Sequence, residues 1–372
     1  MKNILFLIGS LTGGGAEKVL VDLVNNLDRE KYNITVQTIL DEGVHKDNLL
    51  PHIRYKTLNK IRNPFFRRLF SYLMKFPVVD KILYKFMIAD NYDYEIAFLE
   101  GIPTKILSVS KNVTKYAWVH LDLYEFYDGH ERVFPTLQEN IDCYKKFDKI
   151  ICVSEGVKDG FTKKFGDFEN ICVKYNILDD KNIKAKSNEI IDEIAITDKL
   201  RLVTVGRLVR QKGYDRLLEV HKKLINAGFS YELIIVGEGD DRQSLENYIK
   251  ENNLSDSVKL PGFNKNPYKF IKKADLFVCS SRAEGFCLVI AEALILGTPV
   301  ITTECSCLFE LLGNNEFGVI VENSVDGLYN GLKNLLSNKE QISHYKKQAE
   351  IRSDYFKMQN SILSIEKLFG GG

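Results

Sequence analysis

Two glutamates eight residues apart, Glu284 and Glu292, lie in SRAEGFCLVIAEALILGTPVITT (residues 281–303). Their setting suits a ligand that carries both hydroxyls and phosphate. The stretch reads as a strand end (LFVCSS, 276–281), a loop holding Glu284 and Gly285, an apolar helix over 286–296, a Gly297 cap and a second strand, PVITT. A helix start presents N–H groups and partial positive charge to an anion, while carboxylates accept hydrogen bonds from sugar hydroxyls. Glu292 is flanked by Ala291, Ala293, Leu294, Ile295 and Leu296, so its helix is apolar nearly all round and the carboxylate needs a partner. A ribose diol would serve; the competing reading is a solvated helix residue.

Basic groups stand upstream. The strand LRLVTVG opens into a loop with Arg207, Arg210 and Lys212, and Arg207 and Lys212 straddle it as a pair able to neutralise a diphosphate without metal. A solvated basic loop is the alternative. VGEG ends another strand at Gly237, and VKLPGF ends in Gly262 and Phe263, a turn whose main chain can meet a base edge. In the first half, strand NILFLI runs into GSLTGGGAEK, where Gly13, Gly14 and Gly15 let backbone N–H groups approach a phosphate. A dinucleotide site competes here, because ITVQTIL ends in Asp41 and Glu42 where a ribose-binding acid would sit, but Glu17 and Lys18 replace the third glycine of GxGxxG. TKYAWVH ends at His120, with Asp122 two residues on, at the strand edge where doubly wound sheets place ligands; a purely structural histidine is the alternative. Ser154 reads as a helix cap.

These residues need a scaffold that carries strand ends and helix starts to one place. At 372 residues the chain exceeds one core, and strand alternates with helix through both halves. The expected fold is α/β: two Rossmann-like doubly wound parallel-sheet domains facing a cleft. The first spans residues 1–180 and the second 198–345, with a polar linker before the second and a helical tail, 346–372, that crosses back to the first domain.

A net charge of +1 argues against nucleic-acid binding. The opening MKNILFLIGSL reads as a first strand instead of a targeting signal, and no run of 18 apolar residues occurs. Seven scattered cysteines in apolar runs suggest reduced thiols in a cytoplasmic protein, and Cys305 and Cys307 lack the neighbours a zinc site needs. With no Asp-x-Asp pair either, no metal and no cofactor are expected.

Residues 54–86 carry nine Lys or Arg against the single acid Asp80, and eight aromatics. Cations interleaved with aromatic faces suit an anionic membrane surface or anionic acceptor, with Arg62, Phe65, Phe66, Arg67, Arg68 and Phe70 as the contact set. An ordinary helical insertion with aromatics in the local core is the alternative.

GGGAEK, VGRLVRQKG, VGEG and above all EGFCLVIAEALILGTPVI together resemble the retaining glycosyltransferases of family 4, which have the two-Rossmann GT-B fold. The resemblance covers nearly the whole chain and includes the family's Glu, seven residues, Glu signature. It implies that Glu284 holds donor-sugar hydroxyls, Glu292 the ribose, and Arg207 and Lys212 the diphosphate. It further implies that His120 contacts the donor sugar at the reaction centre and that Gly14 and Gly15 lie under phosphate and acceptor. Gly206, Gly237, Gly262, Phe263, Gly285, Phe286, Cys287 and Leu288 complete the implied donor set. A departure follows Thr303, where Glu304, Cys305, Ser306, Cys307 and Leu308 stand in place of glycines frequent in relatives.

The expected activity is retaining, metal-independent transfer of a hexosyl or N-acetylhexosaminyl group from a nucleotide sugar, UDP-linked, to a lipid-linked saccharide acceptor. The expected place is the inner face of the cell membrane, in surface polysaccharide or glycoconjugate assembly. The alternative is a non-catalytic sugar-nucleotide-binding subunit; oligomeric state is not readable.

Overall fold

The computed structural model describes residues 1–59, 72, 76–88, 90–111, 113–125, 133–192 and 198–370. Two compact units emerge: Met1–Ile177 with Gln359–Gly372, and Leu178–Met358.

The first unit is built on seven parallel strands: β1 (Lys2–Ile8), β2 (Tyr32–Leu40), β3 (Arg54–Asn59), β4 (Tyr94–Ala97), β5 (Thr114–Val119), β6 (Lys149–Cys152) and β7 (Ile171–Val173). Their order is β3-β2-β1-β4-β5-β6-β7. β1 holds Ile4, Leu5, Phe6, Leu7 and Ile8 buried in succession, as a central parallel strand covered on both faces must. It pairs with β2 through Ile4↔Ile34 and with β4 through Ile4↔Tyr94, so the chain reverses direction across the sheet at β1. Ser154 accepts a hydrogen bond from the Val157 N–H at 3.0 Å, the cap read from sequence for the helix Glu155–Phe165.

The second unit has six parallel strands: β8 (Leu200–Val205), β9 (Tyr231–Val236), β10 (Val258–Gly262), β11 (Leu276–Cys279), β12 (Val300–Thr303) and β13 (Val319–Val321). Their order β10-β9-β8-β11-β12-β13 places the switch point between β8 and β11. The helix Tyr214–Asn226 buries Leu217, Leu218, Val220 and Leu224 at helical spacing, against strand residues Leu233, Ile235 and Val278 of the same core.

Three expectations on local structure change. The stretch after residue 178 is not a bare linker: it forms the helix Asp180–Lys186, capped by Asp179 and pinned by buried Ile183. The helix after Glu284 starts at Leu288, not Phe286, because Cys287 takes a left-handed conformation (φ 46°) that ends the loop; Glu292 therefore sits about one turn in. The tail divides: the helix Lys339–Ser353 lies in the second unit, where Ser353 donates to the Ile295 carbonyl, and residues from Gln359 join the first. There Phe369 is fully buried against Tyr32 and Tyr94, and Lys2 and Tyr116 donate to the carbonyls of Phe369 and Leu368 at 2.6 and 2.7 Å.

Among the described residues no helix is long and apolar enough to cross a membrane. All seven cysteines are free thiols.

Candidate functional site

The loops after β8 and β11 flank the switch point of the second unit, and the sequence draws them together. Gly213 (φ 66°) adopts the left-handed region, and a β-carbon there would lie 2.1 Å from the Ser280 carbonyl oxygen, so only glycine lets the two loops approach this closely. Four hydrogen bonds then join them: Ser280 Oγ to the Lys212 carbonyl (2.8 Å), Arg282 N–H to the Gln211 carbonyl (2.8 Å), Gln211 Nε2 to the Ala283 carbonyl (3.0 Å) and Arg282 Nη1 to the Arg210 carbonyl (2.6 Å).

Held this way, Lys212 Nζ donates to Glu284 Oε1 at 2.7 Å, and Ser281 Oγ donates to the same oxygen. Burial opposes the Lys212 ammonium, but the Glu284 carboxylate outweighs it and holds the Lys212 pKa well above its ordinary value. The pair is a fixed dipole beside the first turn of the helix Leu288–Ile295, whose N-cap residue, Cys287, provides no side-chain cap. An anion arriving there would meet backbone N–H groups and the ammonium together.

Glu292 is buried on that helix, and Tyr268 Oη donates to it at 3.4 Å. The partner that its apolar surroundings demand is thus supplied in part by the protein. Arg207 is exposed, and its guanidinium has no side-chain partner among the described residues; Phe263 is half exposed. Gly285 and Phe286 are buried beside Glu284, and Leu288 opens the helix. A β-carbon on Gly237 would lie 1.9 Å from the Gly206 carbonyl oxygen, so those two residues bring the ends of β8 and β9 into contact, and the Gly237 N–H donates to the Gly262 carbonyl at 2.9 Å.

The first unit has its own edge group. Glu100, after β4, accepts hydrogen bonds from the backbone N–H groups of His120 and Leu121. Both side chains are buried, and among the described residues Glu100 Oε2 and His120 Nε2 have no hydrogen-bond partner. Burial raises the Glu100 pKa to about 7 despite those backbone donors, and it lowers the His120 pKa to about 3, so the imidazole is neutral at physiological pH. Asp122 instead closes a turn, accepting from the N–H groups of Tyr124 and Glu125.

At the glycine loop, Gly14 is the cap residue and Gly15 the first residue of the helix Gly15–Asn26. Glu17 Oε2 lies 2.1 Å from where a Gly14 β-carbon would stand, and Glu17 accepts from Thr12 Oγ1. A carboxylate therefore folds back over the helix start, as in a capping box, where the sequence suggests an anion cradle. Asp41, the acid of the dinucleotide alternative, accepts from Lys46 (2.7 Å) and Tyr55 (3.0 Å). Arg62, Phe65, Phe66, Arg67, Arg68 and Phe70 lie outside the described residues. Of the neighbouring described residues, Tyr72, Phe76, Ile82 and Phe86 are exposed apolar side chains, the last two on the helix Pro77–Met87.

Sequence reasoning misses Arg216, Ser281, Tyr268 and Glu100. Arg216 is buried and donates to the Ser280 and Ser281 carbonyls, Thr303 Oγ1 and Asn323 Oδ1, fixing the loop that carries Glu284. An arginine in an otherwise apolar helical stripe is the only signal the sequence offers for it. As for a metal, Cys279, Glu284 and Cys287 place ligand atoms within 4.8 Å of one another, but the Lys212 ammonium already neutralises that carboxylate, so the set fits a cation poorly.

Residues 186–352 match the family model described as Glycosyl transferases group 1. A Campylobacter jejuni relative, the N-acetylgalactosamine-N,N'-diacetylbacillosaminyl-diphospho-undecaprenol 4-alpha-N-acetylgalactosaminyltransferase, is 34% identical over 216 residues, 57% of either chain. The match thus spans little more than half of that relative's length. An uncharacterized glycosyltransferase of Haemophilus influenzae is 25% identical over 370 residues, 97% of this chain and 98% of its own. Among solved structures, HepE of Anabaena in complex with UDP and glucose superposes with a TM-score of 0.80 at 19% identity, covering all of both chains. Residues 186–352 thus resemble the Glycosyl transferases group 1 family, and the chain that carries them has the GT-B fold.

Proposed function

We propose that the protein is a retaining glycosyltransferase of family 4 type that moves a hexosyl or N-acetylhexosaminyl group from a UDP-sugar to a lipid-linked saccharide. The observation that carries this reading is the Lys212–Glu284 pair, fixed at the switch point beside the first turn of the helix Leu288–Ile295. Departure of a nucleoside diphosphate develops negative charge on its bridging oxygen. Lys212, the exposed guanidinium of Arg207 and the helix N–H groups would stabilise that charge without a metal. Glu284, held by Lys212 and Ser281, would accept from donor-sugar hydroxyls, and Glu292 from the ribose. Attack from the leaving-group face would retain the anomeric configuration and leaves Glu284 no nucleophilic role.

The UDP and glucose of the Anabaena structure and the diphospho-undecaprenol acceptor of the Campylobacter relative support this choice of donor and acceptor classes. Work on the inner face of the membrane would follow from such an acceptor, with residues 54–86 as the contact. A thermal-shift panel of nucleotide sugars tests the donor: the right one at about 100 times its Kd stabilises by roughly 2.7 kcal/mol. A flat panel, or an inverted anomeric configuration in the product by NMR, would overturn the reading.

A further inference from the structure

Cys279, the last residue of β11, and Cys287, the residue before the helix Leu288–Ile295, bring their sulfurs to 3.6 Å across the loop that carries Glu284. Neither sulfur takes part in the bond-making of the proposed transfer, and Cys279 is outside the implied donor set to which Cys287 belongs. Among the described residues no other two cysteines have their sulfurs in contact: Cys305 Sγ points at the Ser281 carbonyl, and Cys143 Sγ at that of Thr104.

We propose that Cys279 and Cys287 form an oxidative modification site, in which hydrogen peroxide converts the thiol pair to a disulfide and thereby disables the Lys212–Glu284 site. The loss of activity rests on the function proposed above; the disulfide itself does not. One thiol attacks a peroxide oxygen, the O–O bond breaks, and a sulfenic acid and water form. The second thiol then attacks the sulfenic sulfur, the S–O bond breaks and a second water leaves. Two thiols and one peroxide give one disulfide and two waters.

The geometry decides what such a bond would do. A disulfide needs its sulfurs about 2.05 Å apart, so they must close by roughly 1.5 Å. Cys279 cannot contribute much of that movement, because it is buried in β11 and paired with Thr302 of β12. Cys287 can: it sits outside regular structure at φ 46°, between the loop and the helix. The displacement therefore passes to Glu284, three residues before it, and to Leu288, the first helical residue. Lys212 keeps 19% of its side-chain surface accessible, which gives a small oxidant a way in at the ion pair.

The test uses the reduced full-length protein, treated with hydrogen peroxide and digested without reductant. The expected result is a cross-linked peptide joining Cys279 to Cys287, two hydrogens lighter than its parts. Transfer is expected to fall by about 10-fold or more, since ångström-scale displacement in a site costs up to ~100-fold, and to return with dithiothreitol. C279S should keep its basal turnover and resist peroxide. Thiols that stay free, a bond to Cys305 instead, or a complete Cys279–Cys287 disulfide with unchanged turnover would each overturn the proposal. Protein without transfer before oxidation would count against the proposed function, and peptide mapping would still decide the chemistry of the pair.

Discussion

Six strands in each unit repeat one order, yet the two units finish the edges of their sheets in opposite ways. At the edge of the second unit, Lys212 is matched to Glu284, Arg216 to two carbonyls, a hydroxyl and an amide oxygen, and Arg282 to Asp215 in a bidentate pair at 2.7–2.8 Å. At the edge of the first, Glu100 Oε2 and His120 Nε2 are buried without partners among the described residues. A paired edge is preorganised and costs little to keep. An unpaired edge costs desolvation free energy, which persists when a proton or a ligand can relieve it. The difference teaches that one unit is built to hold charge and the other to hold neutral polar groups ready.

The largest effect should come from breaking the paired edge. Glu284→Ala and Lys212→Ala are each expected to lower transfer by about 10²–10³-fold. Lys212→Ala should also destabilise by about 3–5 kcal/mol, because it leaves a buried carboxylate uncompensated. Urea unfolding of the double variant K212M/E284Q separates the roles: stability should recover toward wild type while turnover does not. Recovery of both would show that the pair is scaffolding only.

Next in size is the support behind that pair. Arg216→Leu leaves the Ser280 and Ser281 carbonyls without their buried donor and should cost about 2–4 kcal/mol in stability, with turnover falling as the Glu284 loop loosens. A variant with wild-type urea midpoint and turnover would remove Arg216 from the account.

The unpaired edge makes a smaller prediction with a sharper sign. Glu100 has a folded pKa of about 7 against an ordinary 4.5, so its contribution to stability is fully present below pH 4.5 and is lost as pH rises through 7. His120 has a folded pKa of about 3 against 6.5, so its contribution grows as pH rises from 3 to 6.5. Between pH 4.5 and 6.5 the two slopes oppose one another. Glu100→Gln should therefore make stability rise with pH more steeply than in the wild type, and His120→Asn should make it rise less or fall. Each difference reaches up to about 1.4 kcal/mol per pH unit. Urea midpoints across this window check it, and equal slopes in all three proteins would show that the edge does not titrate as described.

The smallest expected effect is none: chelation with EDTA should leave transfer unchanged, because Lys212 already occupies the carboxylate that a cation would need. A loss restored by a divalent ion would contradict the metal-free reading.

Much of this arrangement was legible in the residues. The apolar runs of β1, β8 and β11, each closed by glycines or small polar residues, announce parallel strands, and EGFCLVIAEALILG announces a buried helix with acids at its start. That helix starts two residues later than its apolar run suggests, because nothing in Phe286 or Cys287 marks a left-handed turn. Glu17 folding over Gly14, and the helix Asp180–Lys186 in a polar stretch, were hidden for the same reason: local composition does not say which side chain will find a nearby backbone donor or an apolar surface.

By itself the sequence determined the periodicities, the glycines at strand ends and the supply of acids and bases, since these depend on residue type and short-range spacing alone. Tertiary structure decided who meets whom. Lys212 and Glu284 are 72 residues apart and become neighbours only because β8 and β11 lie side by side at the switch point. Glu100 and His120 meet for the matching reason, since β4 and β5 pair in the first unit. Pairing of strands distant in the chain depends on burial and register summed over a whole sheet, and no local window of residues contains that sum.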